Sequence, residues 1–494
     1  MFLSVAMLSL AACAERPVTP WNPDPPPGRD ASGGGPDGFP SDGGLFDGGP
    51  PLDIGTLVTQ SNPPAPILGG TLTVMRDGHR AVAADPDRDA LFVIDLDHMT
   101  RLAEIPLTAG DEPWRSVEDD AGRVHVVLRR AGVIATLDLA TRTVTMRRPV
   151  CSTPRGIAFD PAAGSLEVVC ASGEWVSIPA AGGAPTRTLF VEADLRDIVI
   201  RTNDVVISTF RRGELRALAR DGSVITRAAP ADFLLRAPPT PDGGIAIDQH
   251  EVAWRLLPFH NGSFGLLHQL ASTAPISTGA SGYESTMCGD GIAHPALSTF
   301  ASTFAIAPTA TATATNVIAG VLGVDFTVSA DDSQVAVAFP GNAAGRANHA
   351  GVAVLGASTL SSGARCGALI PALRSITPSG QPVAVAYLPD GRLLIQNREP
   401  ATLDVIGPAL TDVAPLASVT LSSTSRQDSG HQLFHGNAGA SIACASCHPE
   451  GGDDGHVWNF DTLGARRTQT IRGGILPTAP FHWNGDMTTF GALA

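Results

Sequence analysis

Near the C-terminal end of the 494-residue chain, Cys444-Ala445-Ser446-Cys447-His448 sets two thiols three positions apart, with a histidine directly after the second. On one helical turn this spacing matches the separation of the two vinyl groups of a haem, and the histidine then falls beneath the iron. The motif reads as an attachment site for covalent haem c, with Cys444 and Cys447 forming the thioethers and His448 the axial iron ligand. A thioredoxin-like redox pair would need a βαβ setting and a zinc site would need a second CxxC; neither accompanies the motif. Beyond His448, three side chains have the chemistry of a sixth ligand: His456, which would give a low-potential bis-His iron, Met487, which would give a higher-potential carrier, and His482. The competing readings are a surface histidine in an Asp-Gly loop, a packed methionine, and a ligand outside this sequence.

Covalent haem attachment requires an exported chain, and the N-terminus meets that requirement. Residues 1–13 form a short apolar run ending in Leu10-Ala11-Ala12-Cys13, too short to span a bilayer and built like an export signal. Its end resembles the bacterial lipobox, which implies lipidation of Cys13, and Ala14 in the following position implies the outer membrane. No Lys or Arg precedes the run, which leaves open a start upstream of Met1, and an ordinary cleaved signal with an incidental cysteine is the alternative. The expected location is the periplasm or cell surface, with membrane contact through the lipid anchor only. The net charge of -15 and only 33 Lys plus Arg argue against a nucleic-acid partner, because phosphate neutralisation needs clustered cations. Four cysteines remain: Cys151 and Cys170 flank two predicted strands and could bridge one hairpin, leaving Cys288 and Cys366 as a second pair, with free buried thiols as the alternative.

The elements that must carry these residues divide the chain into four stretches. After the signal, residues 14–66 are rich in Pro, Gly and Asp with little to bury, the composition of a disordered tether. Residues 67–425 are short β runs separated by Gly, Asp and Pro turns, and they repeat. Arg115, Arg155, Arg196 and Arg236 recur at intervals of 40, 41 and 40, and Ile94-Asp95-Leu96 recurs 43 positions on as Leu137-Asp138-Leu139. A period near forty with about four strands per unit is the mark of a β-propeller, and its length allows six to eight blades, seven preferred. The fold class is thus mainly β: a propeller of about seven blades, of the surface-layer or cytochrome-associated kind in its pattern, followed over 426–494 by a short α-helical cytochrome c-like segment. Residues 308–315 are low-complexity and read as a surface insertion. The arginine column has two readings: a ring of positive charge that attracts an anion, or structural arginines tying each blade to the next through a carboxylate or carbonyl. Repetition in several blades favours the second. His250, His260 and His349 are isolated and read as structural.

The stretch from Cys447-His448-Pro449-Glu450 through Asp454-Gly455, then Arg466 to Gly473, then Thr478-Ala479-Pro480-Phe481 to Gly485, resembles the bacterial di-haem cytochrome c peroxidase and MauG-like family. The resemblance covers about 430–494 and rests on three motifs in order. It implies haem-based redox chemistry and, in a full member, peroxide reduction. Gln469 stands where the family usually has proline, one CxxCH stands where the family has two haem domains, and the sequence ends at Ala494 where members continue, so a truncated product is expected. Two functions follow as expectations. One is an exported haem c lipoprotein exchanging electrons with a redox partner protein or a small-molecule donor or acceptor. The other is a cell-envelope propeller that serves as a binding scaffold with a degenerate or truncated cytochrome appendage.

Overall fold

The Val- and Ile-rich runs separated by Asp, Gly and Pro turns fold as seven successive antiparallel meanders. The structure, a computed structural model, describes residues 56–234, 247–277, 291–304, 313–316, 320–342, 351–360, 374–409, 414–438, 441–475, 477–481, 485 and 487–489. Cys13, Arg236, Cys288, His349, Cys366 and His482 lie outside them, and so do the lipid anchor and the second cysteine pair. Six meanders have four strands, beginning at Leu72–Val74, Pro113–Glu118, Pro154–Asp160, Leu195–Ile200, Asp325–Val328 and Pro382–Tyr387. Blade 5 has five, Phe233–Leu234, Ile247–Pro258, Phe264–Ser272, Ala293–Phe300 and Thr313–Asn316, in that order. The first strand of each blade touches its counterpart in the next (in blade 5 the second strand takes that place), and Pro382–Tyr387 returns to Leu72–Val74. The ring therefore closes at seven blades.

Apolar side chains alternate toward both faces of each blade, so each inter-blade seam becomes its own core. Phe92 and Ile94 of blade 1 meet Leu394, Leu403 and Val405 of blade 7 across the closure. Leu91 and Val93 meet Val126 and Leu137 across the next seam, and equivalent clusters fill the other five. Each blade remains a separate sheet whose outer edge is one short strand, seven residues long in blades 1 and 2. Burial falls outward along a blade: Val124–Leu128 is buried throughout, whereas the outermost Thr143–Pro149 alternates between exposed and partly covered. The repeated Ile/Leu-Asp-Leu is turn chemistry, since Asp95 accepts the backbone N–H groups of Asp97 and His98, and Asp138 those of Ala140 and Thr141. Gly156, next to Arg155, lets blades 3 and 4 approach, for a Cβ there would lie 2.7 Å from the Asp197 Cα.

Helices are few. α1 (Ala357–Leu360) follows the third strand of blade 6, and α2 (Ser429–His435) and α3 (Cys444–Cys447) belong to the C-terminal segment, with a hairpin of Val457–Phe460 and Gly464–Arg467. No described helix is long and apolar enough to cross a membrane. The stretch 56–66, which composition reads as the end of a tether, lies against α2: Val58 and Ser429 exchange hydrogen bonds, and the Gln60 N–H reaches Asp428, the N-cap of α2.

Cys151 and Cys170 form a disulfide across the hairpin of blade 3, as their positions at two strand ends suggest. Their separation of 19 positions closes a loop whose cross-link constrains the unfolded chain by about 3 kcal/mol. The double variant C151A/C170A is expected to lose stability of that order in urea titration, with the seven-bladed fold retained by far-UV spectra; an unchanged midpoint would show that the bridge contributes nothing.

Candidate functional site

The C-terminal segment is built onto the propeller rather than beside it. Ala443 and Ala445, around the first cysteine of the motif, enter the seam between blades 5 and 6 with Trp254, Leu267 and Phe339. Trp458 and Phe460 pack on Ala271 and Ala293 of the long blade-5 strands and on Ile276 and Ile292 beside them, with Cys447 and Leu463 at the edge of that cluster. Backbone bonds fix the docking: Ile276 N–H donates to Asn459 O at 2.7 Å, and Asp461 N–H to Ile276 O at 2.9 Å. The Gln269 amide donates to Ser446 O at 2.8 Å, inside the motif itself.

The strongest anchor is ionic. Pro449–Gly451 is a single 3₁₀ turn in which Glu450 takes a left-handed conformation, φ 56°, sparsely populated for a side chain of this kind. Its carboxylate is buried among the arginines of the repeated column. Oε1 is paired with Arg196 Nη1, and Oε2 lies 3.0 Å from Arg155 Nη2, 3.6 Å from Arg129 Nη1 and 3.3 Å from Arg472 Nη2. Burial alone would raise the Glu450 pKa, but Arg155, Arg196, Arg129 and Arg472 outweigh it and hold the group far below the usual carboxylate range.

Both readings of the arginine column therefore contribute. Arg115 bridges to Asp197 of blade 4 and donates to Trp254 O at 2.7 Å, and Arg155 bridges to Asp194 at 2.7 Å, which ties blades together. Arg155 and Arg196 also hold an anion, and that anion is the chain's own Glu450. Arg255, in the blade-5 strand Ile247–Pro258, joins the group by pairing with Asp197 at 3.5 Å and Asp325 at 3.3 Å. The forty-residue period misses it, since the period points to Arg236. The N-terminal stretch closes the group: Leu68 O accepts from Arg196 at 3.3 Å and Gly69 O from the Trp114 indole at 2.5 Å. Gly69 has φ 72°, and a Cβ there would collide with the Val324 carbonyl.

Within the motif, Cys444 and Cys447 are free thiols at the two ends of α3; Cys444 is exposed and Cys447 partly covered. Burial pushes the Cys447 thiol well above its ordinary pKa, with Asp454 and Glu251 adding to the effect. His448 caps α3, its backbone N–H returning to Cys444 O at 2.9 Å. Its ring Nδ1 lies 3.2 Å from Gly452 O, and the ring also bonds the Gln469 backbone. Burial lowers its pKa, so the imidazole is neutral at pH 7. Two free thiols on one turn beside a neutral imidazole are the residue types that haem c attachment would use, and iron ligation by His448 would require one ring nitrogen to be clear of its contacts with Gly452 and Gln469.

Of the sixth-ligand candidates, His456 and Met487 are among the described residues. His456 is buried, with Nδ1 3.0 Å from Glu251 Oε2, Nε2 3.3 Å from Ser272 O, and its ring 4.2 Å from that of Trp458. Burial opposes its charge, but Glu251 and Asp454 raise its pKa. Ligation by His456 would require one of those contacts to break. Met487 bonds Phe481 through its backbone in both directions. His456, Glu251 and Asp454 line a cleft of about 820 Å³ between blades 4 and 5 and the C-terminal segment, together with Arg211, Glu214 and His250. Burial, then the Glu251 charge, raises Asp454 to about 8, so that carboxyl keeps its proton at neutral pH. Cys444, Cys447 and His448 are not among the residues of its wall, and among the described residues no group of three or more His, Cys, Asp or Glu is arranged to hold a metal ion. Of the isolated histidines, His250 lies 2.5 Å from Asp232 and His260 2.9 Å from Asp332.

No family model matches the sequence, and no curated protein matches it either. Among solved structures, the fold is similar to Kuenenia stuttgartiensis hydrazine synthase, with a TM-score of 0.51 and 14% identity over 73% of this chain and 99% of that one. A streptogramin B lyase aligns with a TM-score of 0.44 and 11% identity, over 69% of this chain and 93% of that one. The propeller domain of Cps50 (Swd1) from Myceliophteria thermophila aligns with a TM-score of 0.42 and 10% identity, over 67% and 94%. At 14% identity the first likeness is one of fold, a seven-bladed β-propeller.

α2 is held to the N-terminal stretch in part by a histidine that must be neutral to accept its hydrogen bond. Ile67 N–H donates to His435 Nε2 at 3.1 Å, and burial takes His435 down to about 3. In the unfolded chain this histidine titrates near its ordinary value of about 6.5, so the folded state is penalised as pH falls below that value and until about 3. H435Q, which can still accept the Ile67 N–H, removes the titration. Between pH 6.5 and 4, wild type is expected to lose about 1.4 kcal/mol per pH unit relative to H435Q in urea titrations; parallel curves would show that His435 does not enter folding as a neutral group.

Proposed function

We propose that this chain is a cell-envelope scaffold in which the seven-bladed propeller seats the C-terminal segment and presents its Cys444–His448 turn. The observation that carries this reading is Glu450, two residues beyond His448 and buried among arginines of blades 2, 3 and 4. A ring of repeated blades serves as a rigid platform, and a site is most reproducible when it sits on rigid elements. Cys13, as a lipidated residue, would hold the platform at the outer membrane.

A second reading, that the turn carries haem c and exchanges electrons with a redox partner protein or a small molecule, is favoured by a specific observation. Both thiols are free, and the neutral His448 ring is oriented by the Gly452 carbonyl. Haem c, when bound, supplies a one-electron couple. The chain's own part is to fix the attachment residues through α3, to orient His448 and to pack apolar side chains such as Trp458 and Phe460 beside Cys447. Electron transfer is the reaction these residues support. The resemblance to di-haem peroxidases extends it toward peroxide reduction, which also needs a displaceable sixth position and an acid/base group, and no residue here is assigned that role.

Two measurements on the full chain test the readings separately. In a host that matures c-type cytochromes, the denatured wild-type chain is expected to keep covalent haem stain and C444A/C447A to lose it; an exported, folded chain without stain removes the haem reading and leaves the scaffold. A single proteolytic cut within 422–428 is expected to leave both pieces co-eluting under native conditions, whereas separation of the pieces would overturn the scaffold.

A further inference from the structure

We propose that the centre of the propeller is a carboxylate-binding site, formed by Arg155 and Arg196 with Arg129 and Arg472 at its edge, and that Glu450 is an occupant supplied by the chain itself. This inference rests on the reading that the propeller seats the C-terminal segment, and names the chemistry that does the seating.

The guanidinium groups are held in place by contacts that do not involve Glu450. Arg155 is tied to Asp194 at 2.7 Å and to Leu195 O at 3.2 Å. Arg196 donates to Trp254 O and Leu68 O, both at 3.3 Å. Aromatic rings flank them: the Arg196 guanidinium lies 4.6 Å from the Trp114 ring centre and 4.4 Å from that of Phe210, and Arg155 lies 4.7 Å from Phe210. A guanidinium is weakly hydrated and planar, so aromatic faces hold it at small cost while its N–H edge stays available. The two forks approach different oxygens, Arg196 at Oε1 and Arg155 at Oε2. That arrangement suits a flat anion with two acceptor atoms, and a spherical ion such as chloride cannot satisfy both edges at once.

Because the forks are preorganised, removing the Glu450 side chain should leave a site rather than a collapsed core. Because Glu450 lies three residues beyond Cys447, the occupancy of the site should be felt at that thiol. Cys447 is partly covered at the edge of the cluster that Trp458 and Phe460 form with Ala271, Ile276, Ile292 and Ala293 of blade 5 and its flanks, so its cover depends on the seating of the turn.

The test uses the full chain without haem, mildly reduced, with iodoacetamide modification of Cys447 followed by peptide mass. In wild type, Cys447 should react more slowly than the exposed Cys444. E450A should speed Cys447 modification about ten-fold, as expected for local opening of a docked element. E450Q, which keeps the shape but not the charge, should lie between the two. Millimolar formate should return E450A toward the wild-type rate, chloride at equal ionic strength should not, and neither should affect wild type, whose site is filled. Unchanged protection in E450A, or equal action of formate and chloride, would overturn the proposal. If E450A does not fold in buffer alone, refolding decides: recovery in formate but not in chloride supports the site, and failure in both, with E450D folding normally, overturns it. Haem loading is not part of the readout, so a chain that never takes haem leaves this outcome independent.

Discussion

A carboxylate taken out of water is tolerated only where cations and donors meet it from several directions, because desolvation of an unpaired ion costs on the order of several kcal/mol. At Glu450 that condition is met by three separate pieces of chain. Arg129, Arg155 and Arg196 come from blades 2, 3 and 4, Arg472 comes from the C-terminal segment, and Leu68 O, from the N-terminal stretch, takes one of the remaining Arg196 donors. The left-handed backbone at Glu450 is the local strain that accompanies this placement. The ring, the segment after the ring and the stretch before it thus share one ion cluster, and the position of the Cys444–His448 turn follows from it.

The ring itself was legible in the sequence because a propeller repeats its turn chemistry along with its strands. Ile94-Asp95-Leu96 and Leu137-Asp138-Leu139 stand 43 positions apart because each aspartate caps the same turn in neighbouring blades. The hairpin disulfide was legible for a similar reason, since Cys151 and Cys170 bracket two adjacent strands whose pairing the alternation already implies. Periodicity also exposed Arg115, Arg155 and Arg196. It could not show where they point, because the group they surround lies 254 positions along the chain from Arg196. It pointed to Arg236, which lies outside the described residues, and did not announce Arg255, because blade 5 carries an additional short strand before the one that faces its neighbours.

The motif was legible as a spacing of residue types; its surroundings were not. Nothing near His456 in sequence announces Glu251, which approaches from the blade-5 strand Ile247–Pro258 and takes one ring nitrogen while Ser272 O takes the other. A histidine next to an Asp-Gly turn and eight positions past His448 has the chemistry of an iron ligand. In the folded chain it belongs to a buried network with Glu251 and Asp454, beside a cleft that Cys444, Cys447 and His448 do not line. The spacing of Cys444, Cys447 and His448 was thus readable along the chain, whereas the contacts that His456 makes across it were not.

The described part of the C-terminal segment builds its buried apolar contacts with the ring. Its helices are short, seven residues in α2 and four in α3, and its hairpin has two strands of four. Its described buried apolar side chains find neighbours in the ring: Trp458 and Phe460 among blade-5 residues, Ala443 and Ala445 in the seam between blades 5 and 6. An isolated four-residue helical turn is unstable in water, since nucleation costs more than its few hydrogen bonds return. The turn that sets Cys444 and Cys447 at their required spacing is therefore a consequence of docking, with the apolar contacts defining its orientation and the Glu450 ion pairs defining its depth. Any chemistry at Cys444, Cys447 and His448 is accordingly a property of the ring and the segment together.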